Sequence, residues 1–292
     1  MFFLVTVVTL YENKMSDEYS HSDYEVFYVE ENILGPVEKS NEYESLTEKL
    51  NSLLTHNCKC RGNCEEDSCY CLKISGGANY ISFLEETSSK DLCILNKKKN
   101  YKEFPFIECN ELCQCSMQCG NRLVQNGPVK NLFVEICTNE LKGLGLFTNN
   151  FILKGTFICE YAGEIITNSQ ASYRHNLNQT HNKMNYIFCL QEHINEKTIQ
   201  TFVDPSKFGN IGRYINHSCE PNSEILPVRI NSPIPKLSIF SSTDIFPGNE
   251  ITIDYGENTQ NNTLTTIKQR KHCLCKSSKC RNLMPFDIYC TL

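Results

Sequence analysis

Apolar and polar positions downstream of about residue 130 fall into short runs broken by Gly, Pro, Asn and Asp. The runs are Leu132–Cys137, Thr156–Ile166, Asn185–Gln191, Thr198–Val203, Glu224–Ile230, Lys236–Ser241 and Glu250–Asp254. Their β-branched and aromatic content predicts a mainly β domain with short helices. One helix is predicted over Asn168–Gln179, entered through a Thr/Asn/Ser capping region. A shorter helical lead-in is predicted over Thr47–Leu54, with Leu46, Leu50 and Leu53 or Leu54 on one face. Ser16–Ser45 is acidic and tyrosine-rich without a period, and reads as a tail or docking arm, partly disordered. Met1–Leu10 is apolar, but ten residues are too few to cross a bilayer and no basic flank accompanies them. Met15 reads as an alternative start.

Cysteine usage changes this picture. The chain has 292 residues and 18 cysteines, enough length for one catalytic domain with metal-stabilised flanks. Tight C-x-C pairs occur at Cys58/Cys60, Cys69/Cys71, Cys113/Cys115 and Cys273/Cys275. Neighbours this close suit a shared metal better than separate bridges to distant partners. Cys58, Cys60, Cys64, Cys69, Cys71, Cys109, Cys113, Cys115 and Cys119 make nine, an odd number for disulfides. Three tetrahedral zinc ions need twelve thiolate contacts, which nine ligands supply if three of them bridge. Leu72–Glu108, carrying Lys97–Lys99, then reads as an exposed insertion between the two halves of the cluster. Cys273, Cys275 and Cys280 form a second, three-ligand group. Cys93, Cys137, Cys159, Cys189 and Cys290 read as core fillers.

The formal net charge is −6, and four zinc ions held by thirteen thiolates would bring it to about −11. That argues against general affinity for a nucleic-acid backbone and favours a basic peptide as partner. No strand–GxGxxG–helix unit is present, which disfavours a dinucleotide-type fold.

The densest polar stretch is Gly209–Asn222, GNIGRYINHSCEPN. So many polar side chains between apolar runs point to a binding site, because each buried group without a partner costs about 1–3 kcal/mol. About thirty residues later comes ITIDYG, Ile251–Gly256. Together with Cys159-Glu-Tyr-Ala-Gly-Glu164 and Lys142-Gly-Leu-Gly145, these motifs resemble those of the SET-domain protein lysine methyltransferases with pre-SET and post-SET cysteine segments. The resemblance runs from about Cys58 to the C-terminus.

What the resemblance implies is specific. The fold would be small sheets around a pseudoknot, the β-clip SET arrangement. The nine cysteines would form a triangular three-zinc pre-SET cluster, and Cys219 would complete a fourth site with Cys273, Cys275 and Cys280. Lys142, Gly143, Leu144 and Gly145 would help hold S-adenosylmethionine, with Leu144 standing where the family has Trp. Tyr186, Arg213, Asn216 and His217 would belong to the same pocket, Arg213 more as an organiser of the knot. Tyr255 and Tyr161 would be the catalytic tyrosines. Ile253, where the family carries Phe or Tyr, would set how many methyl groups fit.

The expected layout is an N-terminal extension over 1–55, a pre-SET cluster over 56–119, a SET domain over 120–256 and a linker with post-SET segment over 257–292. The expected activity is methylation of a lysine on the histone H3 tail, position 36 or 9, on the nucleosome, in the nucleus at the chromosome. Neither specific DNA binding nor membrane association is expected. An inactive chromatin-binding scaffold, a non-histone substrate and a disulfide-rich secreted protein are the alternatives.

Overall fold

The computed structural model describes residue 21 and residues 25–83, 92–99, 103–194, 197–256 and 271–285. Met1–Leu10, Met15, the polar linker 257–270 and Cys290 lie outside the described residues.

The chain opens with β1 (Phe27–Tyr28), β2 (Ile33–Leu34), α1 (Asn41–Asn51), α2 (Tyr70–Ile74), β3 (Tyr80–Phe83), β4 (Leu92–Leu95) and β5 (Phe106–Ile107). It continues with β6 (Leu132–Ile136), β7 (Leu144–Thr148), β8 (Phe157–Glu160), β9 (Gly163–Ile166) and α3 (Asn168–Thr180). Then come β10 (Phe188–Ile194), β11 (Lys197–Gly209), β12 (Asn216–His217), β13 (Ser223–Arg229), β14 (Lys236–Ser241) and β15 (Thr252–Ile253). This is the mainly β architecture with short helices that the periodicity implied.

One sheet has the order β1-β11-β9-β2, with β10 also paired to β11. A second runs β5-β13-β14-β8, and β3–β4, β6–β7 and β12–β15 form two-stranded pairs. The predicted run Thr156–Ile166 divides at a corner, because Asn210 reaches in and takes over its backbone groups. The Asn210 Oδ1 accepts from Ala162 N at 3.3 Å and its Nδ2 donates to Glu160 O at 2.8 Å. All residues of β9, inside its sheet, and of β8, at the edge of the other, are buried. Ile158, Cys159 and Ile165 join Leu146, Tyr214, Ile215, Ile239 and Ile251 in the main core.

Helix α3 forms for local reasons. Thr167 accepts from Gln170 N and the Gln170 side chain accepts from Thr167 N, a capping box. Ala171 and His175, four apart, face inward. Helix α1 starts earlier than predicted, at Asn41, because Ser40 caps it by accepting from Tyr43 N at 3.1 Å. It ends at Asn51, so Leu53 and Leu54 fall beyond it, while Leu46 and Leu50 pack on the main core.

Two stretches read from sequence as peripheral are built into the fold. In the acidic arm, β1 pairs in parallel with the end of β11 and β2 with β9. Asn32 Nδ2 donates to Glu160 Oε1 at 3.0 Å, and Lys236 Nζ lies 2.7 Å from Glu160 Oε2 and 3.4 Å from Glu31. Glu42 Oε1 accepts from Asn168 N at 2.6 Å, placing an anion at the start of α3 where the helix dipole favours it. In the segment between the cysteine groups, β3 and β4 form a hairpin whose Leu95 N donates to Gly155 O at 2.8 Å. Lys99 is buried there, with Nζ donating to Asn79 Oδ1 and, at 2.9 Å, to Pro105 O. Its ammonium also sits 4.0 Å from the Phe106 ring centroid.

Candidate active site and metal centres

The stretch Gly209–Asn222 lies against the segment that ends in Tyr255. Strands β12 and β15 pair in parallel, Asn216 with Thr252 and His217 with Ile253, across the β13–β14 hairpin that separates them in sequence. Ser218 N extends the pairing to Ile253 O at 2.9 Å. Asn222 locks the turn, donating to Glu250 O at 2.8 Å while its Oδ1 accepts from Thr252 N at 2.9 Å. Gly212 is required on steric grounds: a Cβ there would sit 2.5 Å from Glu160 O. The backbone of the motif thus passes directly behind Tyr161.

The tyrosines converge on this crossing. Tyr161 OH donates to Tyr186 O at 2.6 Å, and Tyr255 OH donates to Ile215 O at 2.7 Å. With each hydroxyl proton committed to a carbonyl, the oxygen lone pairs remain free to accept from a third group. Tyr161 is buried, whereas Tyr255 is 40% exposed with its hydroxyl turned inward onto Ile215 O. Desolvation pushes both hydroxyls above the ordinary tyrosine value, with Tyr255 adding to the shift of Tyr161, and Tyr186 and Glu250 adding to that of Tyr255. Both are therefore neutral at physiological pH and positioned to orient a partner. Arg213 is buried, donates from Nε to Pro205 O at 3.1 Å and holds its guanidinium 4.5 Å from the Tyr186 ring centroid. Ile253 is 1% exposed, in the same core cluster as Tyr161.

A second wall is formed by Lys142, Gly143, Leu144 and Gly145. Gly143 turns the chain at φ 73°, a conformation that glycine adopts without penalty. Asn216 Nδ2 donates to Leu144 O at 3.0 Å and to Glu250 Oε1 at 2.8 Å. Lys142 Nζ pairs with Glu250 Oε2 at 2.5 Å.

His217 joins this wall to a metal centre. The backbone N–H of Tyr255 donates to its Nδ1 at 3.2 Å, which leaves the ring proton on Nε2, 3.3 Å from Cys219 Sγ. Burial lowers the His217 pKa, Asp254 at 3.5 Å opposing and Arg281 assisting, so the ring is neutral near pH 7. The sulfurs of Cys219, Cys273, Cys275 and Cys280 all lie within 4.8 Å of one another. Arg281 closes the group: its N and Nε point at Cys219 Sγ, at 3.3 and 3.5 Å, and a terminal nitrogen reaches Asp254 Oδ1 at 2.6 Å.

The N-terminal cysteines form three interlocking tetrads: Cys58, Cys64, Cys69 and Cys109; Cys58, Cys71, Cys109 and Cys113; and Cys64, Cys109, Cys115 and Cys119. Cys109 belongs to all three. Cys60 lies outside these sets and packs beside them. Neighbouring sulfurs sit 3.5–4.0 Å apart, too far for disulfides and close to the edge of about 3.8 Å for a tetrahedron with Zn–S near 2.3 Å. The cysteine at every one of these positions is free. Donors point at the sulfurs as thiolates require: Cys58 N at Cys113 Sγ and Asn121 Nδ2 at Cys109 Sγ, both 3.4 Å, and Arg122 at Cys115 Sγ, 3.6 Å. Arg122 is 1% exposed and supplies a buried counter-charge. Among the described residues, Leu72 is the one apolar residue other than cysteine in this cluster. Bound metal would supply folding energy that a lobe so poor in hydrocarbon otherwise lacks, and both cysteine groups could hold metal ions.

Reasoning from sequence missed Glu250, Asn222, Asn210, Asp254 and Arg281. The Asn residues and Asp254 lie inside or next to the singled-out motifs, so their polarity was visible; their partners were not. Glu250 and Arg281 carried no local signal.

Residues 143–256 match the SET domain family. The chain is 40% identical over 231 residues to the mouse histone-lysine N-methyltransferase SETMAR, covering 75% of this chain and 74% of the relative. To the probable histone-lysine N-methyltransferase set-23 of Caenorhabditis elegans it is 39% identical over 206 residues, 67% of this chain and 82% of that one. Among solved structures, the methyltransferase domain of human SETMAR superposes with a TM-score of 0.71 at 34% identity, covering 94% of this chain and 93% of that domain. KRYPTONITE, solved with DNA, an H3(1-15) peptide and SAH, matches in fold with a TM-score of 0.64 at 24% identity, covering 89% of this chain and 48% of that one.

Proposed function

Because the chain belongs to the SET-domain histone-lysine N-methyltransferases, we propose that it transfers a methyl group from S-adenosylmethionine to a lysine ε-amine of the histone H3 tail, at position 36 or 9. The nucleosome is the proposed physiological partner, and the nucleus and chromosome the proposed location. No helix among the described residues is long and apolar enough to cross a membrane.

The observation that carries the reading is the pair of tyrosine hydroxyls, each tied by its proton to a backbone carbonyl, Tyr161 to Tyr186 O and Tyr255 to Ile215 O beside the β12–β15 crossing. The donor supplies an electrophilic methyl on a cationic sulfonium. Lys142, Gly143, Leu144, Gly145, Tyr186, Arg213, Asn216 and His217 are the residues proposed to hold it. Tyr161 and Tyr255, the proposed catalytic residues, accept from the amine N–H groups and so aim its lone pair. A free lysine is protonated near neutrality, and a desolvated channel beside a cation lowers its pKa. Alignment of two such reactants supplies on the order of 7–11 kcal/mol. Neutral tyrosines fit this task, since neither needs to take up a proton.

Four zinc ions are proposed, three in the N-terminal cluster and one at Cys219. All nine N-terminal cysteines are taken as ligands: drawing Cys60 in relieves Cys109 of serving three metals. Ile253 carries no hydroxyl to hold a water in the channel, so higher methylation states are the expected products.

A catalytically inactive scaffold is the second reading, favoured by Leu144 and Ile253 where the family has larger rings. Radiolabelled methyl transfer to H3 peptides by the wild type and by Tyr255→Phe separates the two. Activity that falls by about 10²-fold in the variant supports catalysis, and no transfer by a zinc-loaded wild type supports the scaffold. Mass spectrometry across an H3 peptide array identifies the lysine, and a mono-methyl-only product would overturn the reading of Ile253.

A further inference from the structure

One carboxylate faces both loops proposed to hold the methyl donor. Glu250 Oε1 receives Asn216 Nδ2 at 2.8 Å and the Cys137 thiol at 3.3 Å, while Oε2 receives Lys142 Nζ. The backbone of Glu250 is fixed on both sides, by a bridge to Phe147 and by Asn222 Nδ2 on its carbonyl. The loop closes on it because residue 145 is glycine. A Cβ on Gly145 would lie 2.7 Å from Cys137 Sγ, 3.0 Å from Glu250 Oε1 and 3.2 Å from Asn216 Nδ2. Four groups from three separate segments therefore meet at one point.

We infer that Glu250 is a positioning residue for the methyl donor, holding the Lys142–Gly145 loop and Asn216 in a single arrangement. The inference rests on the methyl-donor reading above. Asn216 has two amide protons, and both are spent, one on Leu144 O and one on Glu250. Charge assistance makes the contacts of Glu250 stronger than neutral ones, and its anion adds a field that favours a cationic ligand. Glu250 makes no hydrogen bond to either catalytic tyrosine hydroxyl, so its loss acts on donor binding before it acts on the transfer step.

The test measures S-adenosylmethionine binding by calorimetry on the zinc-loaded full chain, alongside kcat and KM. Glu250→Ala is expected to weaken donor binding about tenfold or more, with KM for the donor rising in step and kcat changing little. Glu250→Gln keeps the shape and one acceptor, so it should fall between wild type and Glu250→Ala. Lys142→Met removes one partner only, and combined with Glu250→Gln should cost less than the sum of the two changes. Donor affinity within twofold of wild type in a folded Glu250→Ala protein, or a Glu250→Gln protein weaker than Glu250→Ala, overturns the inference. If the wild type itself binds no S-adenosylmethionine, the functional reading fails instead, which keeps the two outcomes distinct.

Discussion

His217 hands one ring nitrogen to the backbone N–H of Tyr255, at 3.2 Å, and turns the other to the sulfur of Cys219, at 3.3 Å. One neutral imidazole therefore spans from a proposed metal ligand to a proposed catalytic tyrosine. Removing it unties both ends. His217→Ala is expected to lower the affinity of the Cys219, Cys273, Cys275 and Cys280 site for zinc by about 10–100-fold. Competition with a chromophoric chelator, following the first zinc released, measures this. His217→Gln, which can still bridge the two ends, should recover part of the loss.

The tyrosines make a prediction about pH. Desolvation of the hydroxyl ends raises both above their ordinary value, so the fold favours the neutral forms. Their contribution to stability is present below about pH 10 and is lost as the pH rises through the folded values. Tyrosine ionisation therefore cannot cut the rate in the working range, whereas the substrate amine must shed a proton to react. The rate of methyl transfer should rise between about pH 7 and 9.5. Tyr255→Phe should follow the same slope at a lower level. A pH–rate profile on peptide with a maximum near pH 8 would contradict this.

Cysteine replacement should be graded. Cys109 is common to all three tetrads, so Cys109→Ser is expected to empty the N-terminal cluster, taking the zinc content from about four to about one per chain. Cys60→Ser should lose about one. Elemental analysis of the purified variants decides, and a Cys60→Ser protein with the wild-type content would mean that eight sulfurs suffice.

Lys236 is the counter-ion of Glu160, whose side chain is 8% exposed. Lys236→Met removes the cation paired with that buried carboxylate, which Asn32 Nδ2 also contacts. A broken buried pair of this kind costs about 3–5 kcal/mol, read as a lower midpoint in urea. Adding Glu160→Gln should return much of the loss, since the buried negative charge is then gone.

What the sequence disclosed follows the range of the interactions involved. Helix α3 was legible because Thr167 and Gln170 cap it from three residues apart. The spacing of the cysteines pointed to shared metals because neighbouring ligands must sit close in the chain. The motifs around Tyr161, Asn216 and Tyr255 were visible, and the structure brings them together through β12 and β15, a parallel pairing that no local pattern encodes. Glu250 and Arg281 were silent for the same reason: an acid and a base on polar stretches look like surface until their partners arrive. The acidic arm was misread as peripheral because β1 and β2 are two residues each, too short for any period to register.

Those two short strands bear on how the protein is handled. A recombinant boundary drawn at the first cysteine would strip the covering from β9 and from the end of β11 and leave unpaired backbone along both. Exposed ladder edges recruit one another, so such a fragment would be prone to aggregate for a reason unrelated to its chemistry. Expression should begin upstream of Phe27.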